Sequence, residues 1–373
     1  MLSSFDDYPV HQVPVPVAEP ATGDRNFYDR YFFNGYRPDG EVYFGGAMGL
    51  YPNRRVIDAA FSVVHDGVQH NVYASGRAPL DRATTRVGPI RIEVIEPMRT
   101  LRLVVEDNDS GMAADVTFDA RAVVVQEQRQ TRTDANVLIM DVTRFTQAGS
   151  WRGWVEVGGS RVELDPARDR GTRDRSWGVR PVGEPPGGAP PGGLPQIMWL
   201  WGPSHFDDEC LYLAMFGDAD GRWWYQHTLT APILGGPDTP TVDPAAAEEL
   251  ESVDVELRWE PGTRRARGAT MTLHRRSGPP RTVVYEPIYT FQMAGIGYSH
   301  PVWAHGTWHG ELEVGADSWR LDGIDPMARH NLHIQQLCRV TIDGRPGCGI
   351  LEQIALGPHR PSGLTGLLDP YAG

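Results

Sequence analysis

Residues 56–75 read VIDAAFSVVHDGVQHNVYAS, and this stretch sets the expectation for the rest of the chain. Two runs rich in β-branched and aromatic residues, 56–65 and 68–75, flank Asp66-Gly67. Asp-Gly suits a two-residue hairpin turn, because both central residues must take positive φ. An antiparallel hairpin is therefore predicted here. The same style continues on both sides. Short apolar runs at 42–51, 90–95, 101–106, 116–127, 151–157 and 161–164 share the first half, with Gly158-Gly159 as a second hairpin signal. In the second half, runs at 197–201, 211–216, 223–229, 253–259, 269–273, 282–289, 307–314, 318–321, 334–342 and 349–354 follow. Their turns are expected at Asp220-Gly221, Ser277-Gly278, Gly315 and Asp343-Gly344. One short helix is predicted, capped by Asp243, with Pro244 in its first position and Leu250 at its end.

The 373 residues include 42 Gly and 31 Pro, which punctuate the runs as antiparallel β-structure requires. Two sets of strands suggest two closed or nearly closed barrels, each wide enough to hold one small ligand. A pair of β-sandwiches or a jelly roll is the rival architecture. The Pro/Gly-rich block at 185–195 reads as a connector. It divides an extended proline-bearing arm (1–30) and a first barrel (31–184) from a second barrel (196–373).

Net charge is -13, with no basic block, so nucleic acid is not an expected partner. No run approaches the length of a membrane helix, and the first 20 residues lack the pattern of a secretory signal. The three cysteines, Cys210, Cys338 and Cys348, form neither a disulfide framework nor a zinc spacing, and a reducing cytoplasm is expected. Every one of the 35 basic residues is arginine. That excludes Schiff-base lysine chemistry, pyridoxal phosphate anchoring and a lysine-dependent phosphate loop. The expected partner is a small apolar molecule; a homodimer is left open.

The segment Gly171-Thr172-Arg173-Asp174-Arg175-Ser176-Trp177-Gly178 is the most distinctive in the chain. It resembles the Asp-x-x-Trp-Gly stretch of the hydroxyneurosporene synthase (carotenoid 1,2-hydratase) and AttH superfamily, in an uncharacterised bacterial branch. The aromatic strand at 198–202, the run from Tyr298 to Trp308 and the last strand around Glu352 add to the likeness. The resemblance implies an all-β chain of two fused lipocalin-like (calycin) antiparallel barrels. It also implies hydration, isomerisation or cyclisation of a small terpenoid, steroid or other lipid-like substrate by acid and base, with no cofactor. Two departures stand out: Arg175 occupies the place of the hydratases' histidine, and Trp199-Leu200-Trp201 lacks their carboxylate.

Strand parity puts Arg173, Arg175 and Trp177 on one face and Asp174 and Ser176 on the other. The motif reads either as a pocket wall with Asp174 as acid or base, or as a clasp between barrels. Trp199 and Trp201 share a face and suit an apolar or cationic intermediate, or simply an aromatic core. His305, His309, Glu311 and Trp303 share parity on the strand expected there. Two histidines about 13 Å apart cannot chelate one ion, so no metal is expected. His305 is the first candidate proton donor, with His205 second. Glu352 is a candidate base. The catalytic set is therefore Asp174, His305 and Glu352, and the binding set is Arg175, Trp177, Trp199, Trp201, His205 and Trp303. A lipid carrier with the same walls and no catalysis is the alternative.

Overall fold

The computed structural model describes residues 2–134, 136–183 and 195–373. The connector expected at 185–195 lies outside the described residues except for Pro195. The hairpin forms as read: Val56–His65 pairs with Val68–Arg77, and Asp66 and Gly67 take φ of 50° and 72°. From it the first sheet grows by antiparallel neighbours through Tyr43–Tyr51, Phe27–Tyr36, Arg170–Val179, Val137–Val157, Met112–Ala120, Thr100–Val105 and Ile90–Glu96 to Arg86–Val87. The second sheet runs from Glu248–Glu249 through Trp223–Pro232, Glu209–Gly217, Ile197–Trp201, Arg345–Leu356, Ile334–Ile342, Arg281–Gln292 and Ala266–His274 to Ser252–Trp259. The chain is all-β, and the two sheets form two lipocalin-like barrels.

Three local expectations are corrected. The strands read at 307–314 and 318–321 are one strand, Leu312–Arg320, and it pairs with Val68–Arg77. The first sheet therefore draws on both halves of the sequence. Its free edges come together at Gly88, where a Cβ would lie 3.0 Å from Val314. Gly315 sits inside that strand and turns nothing. A Cβ there would be 2.2 Å from the Trp303 ring, so the glycine admits an indole. The helix read at 243–250 is one 3-10 turn, Pro244–Ala246. Asp243 caps it, accepting from the Ala245 N–H at 3.0 Å, but Glu248–Glu249 leaves to pair with Leu229 and Thr230. A helix that short forms too few internal hydrogen bonds to offset its nucleation. Among the described residues there is no α-helix, and no helix is long and apolar enough to cross a membrane.

Alternation decides what fills each barrel. In the first, Trp151 is fully buried and meets Phe44, Phe118 and Phe33 edge-on, with ring centroids 5.0, 5.4 and 5.9 Å away. Its Nε1 donates to the Asn34 carbonyl at 2.9 Å. Gly171 clears the space, since a Cβ there would lie 2.2 Å from that nitrogen. In the second, Met198, Leu200, Leu213, Met271, Tyr285 and Leu351 pack together. Each such side chain contributes about 1.5–3 kcal/mol on burial. The interiors expected to hold a ligand are thus occupied by the chain's own side chains. A third cluster joins the barrels: Phe32, Tyr36 and Tyr43 of one meet Trp199, Trp201 and Phe291 of the other.

Candidate active site

The outward faces of the two barrels carry polar groups into this seam. Across Phe27–Tyr36, Arg170–Val179 and Val137–Val157, the cross-strand rows are Arg30–Ser176–Arg144, Phe32–Asp174–Thr146 and Asn34–Thr172–Ala148. Residues directly opposite share a face. Asp174 is therefore flanked by Phe32 and Thr146, with Arg30 and Arg144 on its diagonals. On the second barrel the row is Trp201–Glu352–Gln335. Trp199 stands on the same face, and His333 directly precedes the strand that carries Gln335.

Glu352 is buried and held by three donors. Trp199 Nε1 donates to its Oε1 at 2.8 Å, His333 Nε2 lies 2.8 Å from the same oxygen, and Gln335 Nε2 donates to Oε2. The Gln335 carbonyl in turn accepts from Tyr43 and, at 3.2 Å, from Asn34 Nδ2, both on the first barrel. Burial alone raises the Glu352 pKa. The His333 charge and the three hydrogen bonds outweigh it, so the carboxyl sits below the ordinary glutamate value. Asp174 is the reverse case. Burial drives its pKa up to about 6. Attraction to Arg144 and Arg30 opposes this, while the charges of Glu127 and Glu352 add to it. Arg144 is pulled toward Glu127, 3.4 Å away, and its guanidinium lies 5.2 Å from the Trp199 ring centroid.

Tyr298 extends the cluster. The rings of His305 and His333 meet it edge-on at 4.3 and 4.5 Å, and the Arg30 guanidinium lies over it at 4.5 Å. Arg30 is 1% exposed; it donates from Nη1 to His305 Nδ1 at 2.7 Å and from Nη2 to the Ile296 carbonyl at 3.0 Å. His305 Nε2 lies 3.0 Å from that same carbonyl. Since guanidinium only donates, His305 must accept at Nδ1 and carry its proton on Nε2. Burial, then the charges of Arg30 and Arg180, keep this imidazole neutral. The irregular segment carrying it is pinned to the first barrel by Gly306 N–H donating to Asp58 at 2.6 Å. A cavity of about 10 Å³ lies beside it, lined by Arg30, Asp58, Trp303 and His305 and large enough for one water.

The model of a family of unknown function, DUF8625, matches residues 2–365. The chain belongs to that family. No curated protein matches this DUF8625 chain. Among solved structures it is similar to an AttH-like protein from Nitrosomonas europaea, at 13% identity and a TM-score of 0.54, over 93% of this chain and 98% of that one. It is also similar to kievitone hydratase from Nectria haematococca, at 12% identity and a TM-score of 0.51, over 87% and 88%. These likenesses establish the fold, in agreement with the resemblance read from the motif.

Of the residues singled out from the DUF8625 sequence, Asp174, Glu352 and Trp199 share one neighbourhood. His305 is joined to it through Arg30 and Tyr298. It lies on an irregular segment with His309 and Trp303, not on the expected strand. Among the described residues no three His, Cys, Asp or Glu side chains converge as metal ligands. Trp201 meets Phe32 edge-on at 5.9 Å within the apolar seam. Trp303 stacks on Tyr73 at 5.6 Å and holds the segment down. His205 is buried elsewhere, its Nδ1 3.8 Å from Cys210 Sγ, and burial keeps it neutral. Arg175 and Trp177 take the face away from Asp174. Arg175 pairs with Asp29 at 2.7 Å and covers Tyr31, and Trp177 is 38% exposed. Sequence reasoning missed Arg30, Arg144, Tyr298, His333 and Gln335. Parity along 27–36 would have aligned Arg30 with Phe32 and Asn34, had the arm not been expected to run to residue 30 and a strand been read across that boundary.

Proposed function

We propose that this chain is a cofactor-independent acid/base enzyme of the hydratase, isomerase or cyclase type, acting on a small, largely apolar substrate between the two barrels. Asp174 is the proton donor. Its carboxyl, raised to about 6, keeps its proton up to that pH, above the ordinary aspartate range. Glu352, with His333 hydrogen bonded to it, is the proton acceptor. The observation that carries this is the pair itself: two carboxyls in one seam whose surroundings push their pKa values apart, a pattern that supports one as acid and the other as base. The Trp199 ring, tilted against Phe216 at 4.3 Å, packs on the apolar body of the substrate. His305 is a positioning residue, because its Nδ1 accepts from Arg30 and its Nε2 donates to the Ile296 carbonyl.

In a hydration, Asp174 delivers its proton to one carbon of a double bond. Water adds to the other carbon, and the water's proton passes to Glu352–His333. Isomerisation or cyclisation uses the same donor and acceptor without the water. Kievitone hydratase among the fold neighbours makes hydration the reaction to test first. The test is capture of a ligand from an extract by native mass spectrometry, then incubation of it with the protein in D2O. A product carrying one solvent deuterium, formed by the native chain and not by Asp174→Asn or Glu352→Gln, supports the assignment. A ligand recovered unchanged makes the chain a carrier.

A further inference from the structure

Two cations in this seam have no carboxylate in direct contact among the described residues, although Arg30 lies within electrostatic range of Asp58 and Asp174. Among the described residues, neither Arg30 nor Arg180 forms an ion pair, and the Nε of each is buried without a hydrogen-bond partner. Both lie against Tyr298, with guanidinium carbons 4.5 and 5.5 Å from its ring centroid, and Arg180 also lies 4.7 Å from the Tyr28 ring. The two carboxyls whose titration responds to Arg30 are Asp58 and Asp174. The strongest electrostatic neighbours of Arg180 are tyrosines, Tyr28, Tyr298 and Tyr51, and its guanidinium hydrogen bonds to Tyr298, which leaves Nε as the unpartnered donor. Arg30 is buried and Arg180 half-buried; a buried guanidinium N–H without an acceptor is costly, and a ligand oxygen that takes it up relieves that cost.

We propose that Arg30 and Arg180, with Tyr298 packed against both, bind an anionic oxygen group, a carboxylate or an enolate-type oxygen, at one end of the substrate. The substrate class is then an amphipathic acid. Its apolar body lies on Trp199, Phe216 and Trp224, and its charged end reaches the guanidiniums. A pure hydrocarbon leaves both cations unmatched. A carbocation centred near Tyr298 is repelled by them, so charge that develops at this end is negative. The location rests on the seam assigned above; the charge preference does not depend on turnover.

The test is binding, read from tryptophan fluorescence, of three flat probes: 2-naphthoate, 6-cyano-2-naphtholate and the neutral methyl 2-naphthoate. The native chain is expected to bind at least one of the anions about tenfold or more tightly than the ester. Which anion wins distinguishes carboxylate from enolate-type recognition. Arg180→Gln should remove the preference with ester affinity unchanged, and Arg180→Lys should restore part of it; thermal unfolding of each variant confirms folding. Equal affinities for acid and ester, no binding of either anion, or a preference that survives Arg180→Gln overturns the proposal. Asp174→Asn should keep the preference. If it does so without any loss of turnover, the acid/base assignment fails and the anion site stands; the opposite pattern separates them the other way.

Discussion

Asp174→Asn should make this protein more stable and less active, and pH should gate the gain. Burial raises the carboxyl from the ordinary 3.8 to about 6. The folded chain therefore holds this proton more tightly than the unfolded chain. Stability falls as pH rises from about 4 to about 6, and above that range the ionised carboxylate costs the fold about 3 kcal/mol. The figure already contains the attraction to Arg144 and Arg30, since these act on the ionised form. Asparagine has nearly the same shape and no charge to desolvate. Urea unfolding of both chains, followed by tryptophan fluorescence, should show the variant ahead by about 2–3 kcal/mol near pH 8. The advantage should vanish below about pH 4, where the native carboxyl is protonated in both states. A variant that is less stable than the native chain near pH 8, or equally displaced at both pH values, would refute the reasoning. Stability gained as activity is lost is the mark of a group kept for function.

Glu352→Gln should act in the opposite sense. It sets an amide N–H among the donors from Trp199, His333 and Gln335, and denaturant titration near neutral pH should show a loss of about 1–3 kcal/mol. Turnover against pH should fall as pH rises through about 6, because Asp174 must be protonated to donate. That limb should persist in His305→Gln with a lower rate, and a limb that disappears with the histidine would assign the proton to His305 instead. Gly315→Ala places a methyl 2.2 Å from the Trp303 ring; thermal unfolding should report a loss of about 1–3 kcal/mol, with a changed tryptophan emission.

Local chemistry was legible where it acts locally. Asp66-Gly67 and Gly158-Gly159 turn the chain because their φ values demand small or αL-tolerant residues, and dipeptides announce this. Parity along the motif strand placed Asp174 and Arg175 on opposite faces before any register was known. What stayed hidden depends on register between distant strands. Nothing in residues 312–320 announces that they complete a sheet begun near residue 27. Trp201, Glu352 and Gln335 become neighbours only once three strands are aligned. His305 looked like a proton donor because an isolated imidazole titrates near neutrality; the guanidinium on one nitrogen, which comes from a segment far away in sequence, and the carbonyl on the other favour a positioning role.

Carbon-detected NMR of the side-chain carboxyls, titrated in the intact chain with Asp174→Asn and Glu352→Gln as assignment controls, bears most directly on the acid/base pair. Asp174 should titrate near 6, with Glu352 below the 4.5 of an ordinary glutamate. An Asp174 that titrates at or below 3.8, or a Glu352 that takes up its proton first as pH falls, would leave the seam without a poised donor and contradict the account.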